Sequence, residues 1–342
     1  MDGQGGWKEG VACQVGLVRP RQPADVRRAA MPPALPQRNR IYRCHHLDST
    51  RWDDVVPRPD DIIITTSLKA GTTWTQRIVS LLVFQTTGLP NTLHWVSPWP
   101  DCRFIVGRAE MRAIVEGLEH RRFLKTHLAL DALPYWESAR YIYVGRDTRD
   151  VFMSTWNHVR AYTPLARELL NSGEHAPAQP FLEPPDDIRE FWKLWMTRGS
   201  YPWESDGFPY WSHHHHARSY WDYRHLPNLL FVHYNDLKAD LPGEMRRIAR
   251  FLEIDVAEEK WPMLADAATF ASMKRDAALL GPEMGLIFEG GADRFLYKGT
   301  NDRWHDVLTA DDLALYEVAA ARTLTPELKR WLERGRASGV VP

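Results

Sequence analysis

With 342 residues and 44% hydrophobic content, the chain can bury a full core as one large domain. Its 43 Lys and Arg against 44 Asp and Glu exclude a global field that attracts nucleic acid or an anionic membrane, so any anion must be held locally. Cys13, Cys44 and Cys102 show neither disulfide nor metal-ligand spacing, no apolar run approaches the ~20 residues of a membrane span, and no secretory pattern opens the chain; a cytoplasmic protein is expected.

Met1 to about Gln37 is rich in Gly, Arg, Pro and Ala without apolar periodicity, which predicts a poorly ordered extension (1–37) ahead of a folded domain (38–342), with Met31 an alternative start. From Asp60 onward short β-rich runs alternate with helical patterns, the signature of an α/β fold with a central parallel sheet flanked by helices. Strands are predicted at Ile62–Thr65, Arg122–Lys125, Tyr141–Val144 and Leu229–Val232. Trp74, Ile78, Leu81 and Leu82 recur at helical spacing after the first strand. Asp147 is placed to cap a helix carrying Val151, Ser154 and Thr155, and Met245, Ile248 and Leu252 mark another helix. Two more helices close the chain near Ala310–Arg322 and Pro326–Arg336. Thr163–Asp187 and Ala277–Asp293 read as long loops, candidates for the walls and lid of a pocket.

Between the first strand and its helix runs Thr66-Ser67-Leu68-Lys69-Ala70-Gly71-Thr72-Thr73-Trp74. A helix start exposes unpaired N–H groups and the positive end of the dipole, Gly71 lets backbone approach a ligand, and Lys69 adds a full charge. The lysine precedes the glycine, so this is not the G-x-x-x-x-G-K-[ST] loop of common nucleoside triphosphate enzymes. An ordinary turn capped by Thr73 is the plainer alternative. The string resembles the T-x-P-K-x-G-T-T-W loop of the sulfotransferases that use 3′-phosphoadenosine 5′-phosphosulfate (PAPS), with Leu68 in place of the proline.

Three further segments follow in the family's order. Phe123-Leu124-Lys125-Thr126-His127-Leu128 is similar to its K-T-H-L segment. Arg146 and Ser154 keep the eight-residue spacing of its 3′-phosphate site, although an Arg146–Asp150 ion pair would also account for the arginine. Tyr297-Lys298-Gly299-Thr300-Asn301-Asp302-Arg303-Trp304 is similar to R-K-G-x-x-G-D-W, with Tyr297 at the arginine and Asp302 at the second glycine; Arg275 is a candidate substitute for the missing charge.

The resemblance implies a P-loop-like sulfotransferase fold and PAPS as donor, with PAP (3′,5′-bisphosphoadenosine) as product and no metal. It implies His127 as general base, Lys125 and Lys69 stabilising the transferring group and the departing phosphate, and Lys69, Ala70, Gly71, Thr72, Thr73 and Trp74 around the 5′ side. Arg146, Ser154, Lys298 and Gly299 go to the 3′-phosphate, Tyr234 and Phe270 with Trp74 to the adenine, and Trp99, Trp156 and His158 to the wall of a pocket for a small apolar or aromatic acceptor bearing a hydroxyl or amine. A homodimer is a candidate assembly, but the family's K-x-x-x-T-V-x-x-x-E segment is barely matched over His305–Ala314, which leaves the oligomeric state open. Neighbours in the run His213-His214-His215-His216 point in different directions and cannot share one ion; the run reads as a helix with some histidines exposed. A nucleoside triphosphate enzyme on a related fold, or a PAP-binding protein without turnover, stays open at this point.

Overall fold

A computed structural model describes residues 34–172 and 180–342. Most of the predicted N-terminal extension, Met31 included, and residues 173–179 of the first long loop lie outside the described residues. Leu35–Pro342 forms one compact unit.

Its centre is a four-stranded, wholly parallel sheet of β1 (Ile62–Thr66), β2 (Phe123–Thr126), β3 (Arg140–Gly145) and β4 (Leu229–His233), in the order β2-β1-β3-β4. All five residues of β1 are buried, as in a central strand covered on both faces, which is why it is written as three isoleucines and two threonines rather than as an alternation. The predicted strands fall within a residue or two of the observed ones; Arg122 instead stands just before β2, where its guanidinium pairs with buried Asp61 at the edge of the sheet away from the strands' C-terminal ends.

The helix Thr72–Phe84 buries Ile78, Val79, Leu81 and Leu82 and stops where Gln85 turns left-handed (φ 51) and donates its N–H to Leu81. Asp147 caps Thr148–Val159 by accepting from the Arg149 N–H, as its position predicts. Leu241–Leu252 buries Met245, Ile248 and Leu252, and Ala310–Thr323 and Pro326–Arg334 close the chain.

Two predictions need correction. The long loops carry helical turns: Pro164–Asn171 in the first, and Ala277–Leu280, Met284–Ile287 and Gly291–Phe295 in the second. The histidine run does form a helix, His213–Trp221, but His213, His214 and His216 are buried and His215 is partly buried. Each finds a polar partner inside the fold, which partly offsets the burial of a polar ring, while His213 Nε2 and His216 Nδ1 stay without one among the described residues. No helix among the described residues is long and apolar enough to cross a membrane.

Candidate active site

Because the strands are parallel, their C-terminal ends lie along one edge, and the chain reverses its direction of travel across the sheet at β1, between β2 and β3. Ligands of open α/β sheets bind at such a switch point. Each strand hands a chemically equipped segment to that edge: Lys69 and Gly71 follow β1, His127 follows β2, Arg146 follows β3 and Tyr234 follows β4. They line one cavity of about 540 Å³.

The β1 loop adopts two left-handed residues, Lys69 (φ 64) and Gly71 (φ 120). Gly71, not Thr73, is the N-cap, and no side chain caps the helix, so its first-turn N–H groups are available to an anion. A Cβ at Gly71 would press against Tyr234 at 3.1 Å; glycine lets the loop lie on that ring. Lys69 Nζ is 3.4 Å from His158 Nδ1 and 4.5 Å from the centre of the Phe295 ring. Burial first, then the Arg146 and Lys125 charges, bring the Lys69 ammonium down to about 7. Lys125 sits over the Trp99 ring at 4.4 Å, and burial lowers it to about 8.

His127 is buried, with Trp99 edge-on at 5.0 Å and Trp211 at 5.7 Å. Its Nδ1 is 2.8 Å from the Thr66 carbonyl. A carbonyl only accepts, so Nδ1 carries the proton and Nε2 keeps its lone pair. Burial, then Lys125, hold the ring neutral, lowering it to about 3.

Arg146 joins three of the four motif segments: it donates to the Lys69 carbonyl (3.1 Å) and to the Thr300 carbonyl and Asn301 Oδ1 (3.3 and 2.9 Å), and its guanidinium lies 4.0 Å over Tyr234. The alternative Arg146–Asp150 pair does not form among the described residues; Asp150 accepts from the Asp302 N–H instead, and burial raises it to about 6. Asp302 occupies the left-handed region (φ 65), which explains why the family pattern has glycine there and why aspartate, tolerant of that region, can replace it. Trp74, Tyr234 and Phe270 line the same cavity, Trp74 and Tyr234 meeting edge to face at 5.2 Å, and Phe270 lying against Gly299.

Of the residues singled out from sequence, Lys69, Gly71, Thr72, Thr73, Trp74, Trp99, Lys125, His127, Arg146, Ser154, His158, Tyr234, Phe270, Lys298 and Gly299 line the cavity. Ala70 and Trp156 do not. The Ala70 methyl is fully buried, and Trp156 packs on Phe191 with Arg160 over its ring. Ser154, Asn157 and His158 share one helix face at i, i+3 and i+4, and a residue at i+2 points away from it. Arg275 does not line the cavity either, donating instead to Ser272.

Sequence reasoning missed His46, His94, Glu283, Arg294 and Arg303, all of which face the cavity. Arg303 stands inside the quoted C-terminal motif and Arg294 three residues ahead of it, whereas the histidines and the glutamate carry no local pattern. The looped segments do supply walls, through Leu165 and Leu169 on one side and Met284, Leu286, Ile287 and Phe288 on the other.

This arrangement defines an α/β fold in which the loop after β1 and its uncapped helix start open onto a largely apolar cavity. Residues 59–325 match the family described as sulfotransferase domain, and the chain belongs to that family: it is a sulfotransferase. It is 33% identical over 314 residues to the glycolipid sulfotransferase of Mycobacterium bovis, covering 86% of this chain and 94% of that one. It is 29% identical to the luciferin sulfotransferase of Photinus pyralis, covering 71% and 67%. Retinol dehydratase solved with androsterone and the inactive cofactor PAP shares the fold (TM-score 0.62, 23% identity, 81% and 84% covered). So does a mouse sulfotransferase complexed with PAP (TM-score 0.61, 20% identity, 83% and 92% covered). Family membership decides against the nucleoside triphosphate enzyme that the sequence left open.

Proposed function

We propose that the enzyme moves the sulfuryl group of PAPS to a hydroxyl or amine of an apolar acceptor, with His127 as general base. The observation that carries this reading is the fixed tautomer of His127: Nδ1–H is committed to the Thr66 carbonyl, so the free Nε2 lone pair belongs to a ring in the same cavity as Lys69 and Lys125. The cavity also fits a bis-anionic nucleotide. Its helix start is uncapped, and Arg146 Nε and Arg303 Nε are buried without partners among the described residues, a cost that an anion removes.

On this reading the donor supplies an activated sulfuryl group on a phosphate leaving group. The acceptor oxygen or nitrogen forms a bond to sulfur as the sulfur–oxygen bond to phosphate breaks, and the acceptor proton passes to His127 Nε2. Lys69 and the first-turn N–H groups of Thr72 to Trp74 meet the charge left on the phosphate oxygen, while Lys125 steadies the group in transit. Burial first, then the Lys125 and Lys69 charges, hold the His127 value down; a bound polyanion would offset the lysine charges and make the ring a better base.

The acceptor side is walled by Phe104, Val106, Met111 and Phe288, and its lining includes Ile105, Leu165 and Leu286, exposed at 46, 42 and 58%. Such a lip suits an acceptor whose apolar part extends past the opening, in keeping with the glycolipid named for the mycobacterial relatives. The free, buried Cys44 and Cys102 suit a reducing cytoplasm, the proposed location.

The test is His127→Ala, assayed with labelled PAPS and hydroxyl and amine acceptors of graded alkyl length. Transfer is expected to fall by about 100- to 10 000-fold while PAP affinity stays within about twofold. Transfer at the parent rate would remove the assigned base.

A further inference from the structure

The C-terminal phosphate motif carries its charge in a different place from the family pattern. In R-K-G-x-x-G-D-W an arginine comes first and an acid seventh; in this chain those positions are Tyr297 and Arg303. A base has become a ring and an acid has become a base.

The fold brings the two together. Asp302 turns left-handed, its N–H anchored on Asp150 Oδ1 at 2.8 Å, and starts the short helix Arg303–Asp306. That turn lays the Arg303 guanidinium 5.4 Å from the centre of the Tyr297 ring, so the charge removed from position 297 returns across the aromatic that replaced it. Arg294 and Lys298 stand 5.0 and 5.3 Å from the same ring. An aromatic face attracts cations at such distances, so Tyr297 gathers three of them at one end of the cavity.

Arg303 is distinguished from the other two by its surroundings. All three line the cavity, but of the three only Arg303 has a buried side-chain nitrogen, its Nε, without a partner among the described residues, as has Arg146. Burial first, then the nearby Arg146 charge, lower its pKa against the opposing pull of Tyr297 and Asp150, and no ion pair to Arg303 forms among the described residues. Arg146 is buried and Arg303 part-buried, and each keeps one buried Nε–H without a partner among the described residues; an anion bound between the two guanidiniums would satisfy both.

We propose that Arg303 is the relocated phosphate arginine of this chain: with Arg146 it grips the 3′-phosphate of the donor nucleotide, and Tyr297 is its platform. This rests on the PAPS reading of the cavity.

Calorimetric titration of the intact protein with PAP and with adenosine 5′-monophosphate, which lacks the 3′-phosphate, tests it. The parent should bind PAP more tightly. Arg303→Met should weaken PAP by roughly tenfold or more, the worth of one charge-assisted contact, and leave the monophosphate unchanged. Arg303→Lys, which keeps the charge but not the fork, should fall between. The exchange Tyr297→Arg with Arg303→Asp, which restores the family arrangement, should recover most of the PAP affinity. Melting curves of each variant report folding separately. If the parent prefers PAP and Arg303→Met loses nothing, or loses both ligands equally, the inference is overturned and the donor reading survives. A parent that binds both ligands alike overturns the donor reading and this inference with it.

Discussion

Gly299→Ala is the sharpest probe of the end of the cavity proposed for the donor nucleotide. Gly299 has φ +64, and a Cβ there would stand 2.8 Å from Phe270 Cδ2 and Cε2 and 2.9 Å from Cγ. An alanine pays about 1–2 kcal/mol for the left-handed backbone, and relieving the collision adds about 1–3 kcal/mol unless the ring moves. Phe270 is only partly buried, so the ring is expected to swing aside and convert most of the second cost into a misplaced aromatic wall. Gly339→Ala is the control: φ is +72 and nothing lies within 4 Å of its Cβ, so it meets the backbone cost alone. Melting and PAP titration should show similar losses of stability in the two variants, with PAP affinity reduced about tenfold or more only in Gly299→Ala, equivalent to about 1.4 kcal/mol. PAP affinity within twofold of the parent in both would refute the assignment of Phe270 to the donor wall.

Lys69 must be protonated to meet a departing phosphate, and its value of about 7 in the free enzyme means that this form is lost as pH rises through neutrality; kcat/KM for the donor should show an alkaline limb near that pH, and Lys69→Arg should move it out of range. A limb unchanged by that substitution would assign it elsewhere. Burial lowers His45 and His233 to about 4 and His94, His127 and His213 to about 3, so the fold prefers them neutral while the unfolded chain protonates near 6.5. Stability should therefore fall as pH drops below 6.5, by up to about 1.4 kcal/mol per pH unit for each ring, and denaturant melts that coincide at pH 7 and 5 would contradict this. Gly145→Ala sets a Cβ into the Trp331 indole at the end of β3; a loss of about 1–3 kcal/mol or more in the same melts is expected, and an unchanged midpoint would deny that contact.

The strands were legible because a parallel sheet covered on both faces leaves β-branched, apolar runs that helices do not imitate, as in Ile62-Ile63-Ile64. The cavity was legible wherever its residues follow a strand end directly, because motif order then reproduces spatial order. It was illegible where a side chain's direction depends on helical phase, as for Trp156 two residues beyond Ser154, or where distant segments converge, as for His46 and His94. Helix Ile188–Thr197 went unassigned after its capping Asp187, although Phe191, Trp192, Trp195 and Met196 form a buried stripe. There the loop-like composition upstream obscured a start signal that the aspartate carries in full.

The histidine run shows how a feature that fails as a metal site can still serve the cavity. Successive residues of a helix point about 100° apart, so four neighbours reach four different elements. His213 Nδ1 meets Ser67 Oγ of the loop after β1 at 2.6 Å, and His214 meets Thr148 at 3.3 Å and Thr323 at 2.8 Å. His215 meets Asp131 beyond β2 at 2.9 Å, and His216 approaches Thr65 of β1 at 3.5 Å. The loops at the sheet's C-terminal edge face a ligand on one side and need polar anchoring on the other, which apolar packing cannot give. Lysine or arginine in these positions would add buried, unpaired charge beneath loops already carrying Lys69 and Arg146. Imidazole offers a donor and an acceptor while remaining neutral, and burial keeps His213, His214 and His216 so by lowering each. Protonating these three should therefore loosen the phosphate loop before the sheet, so PAP affinity is expected to decline at a higher pH than the one at which the fold melts.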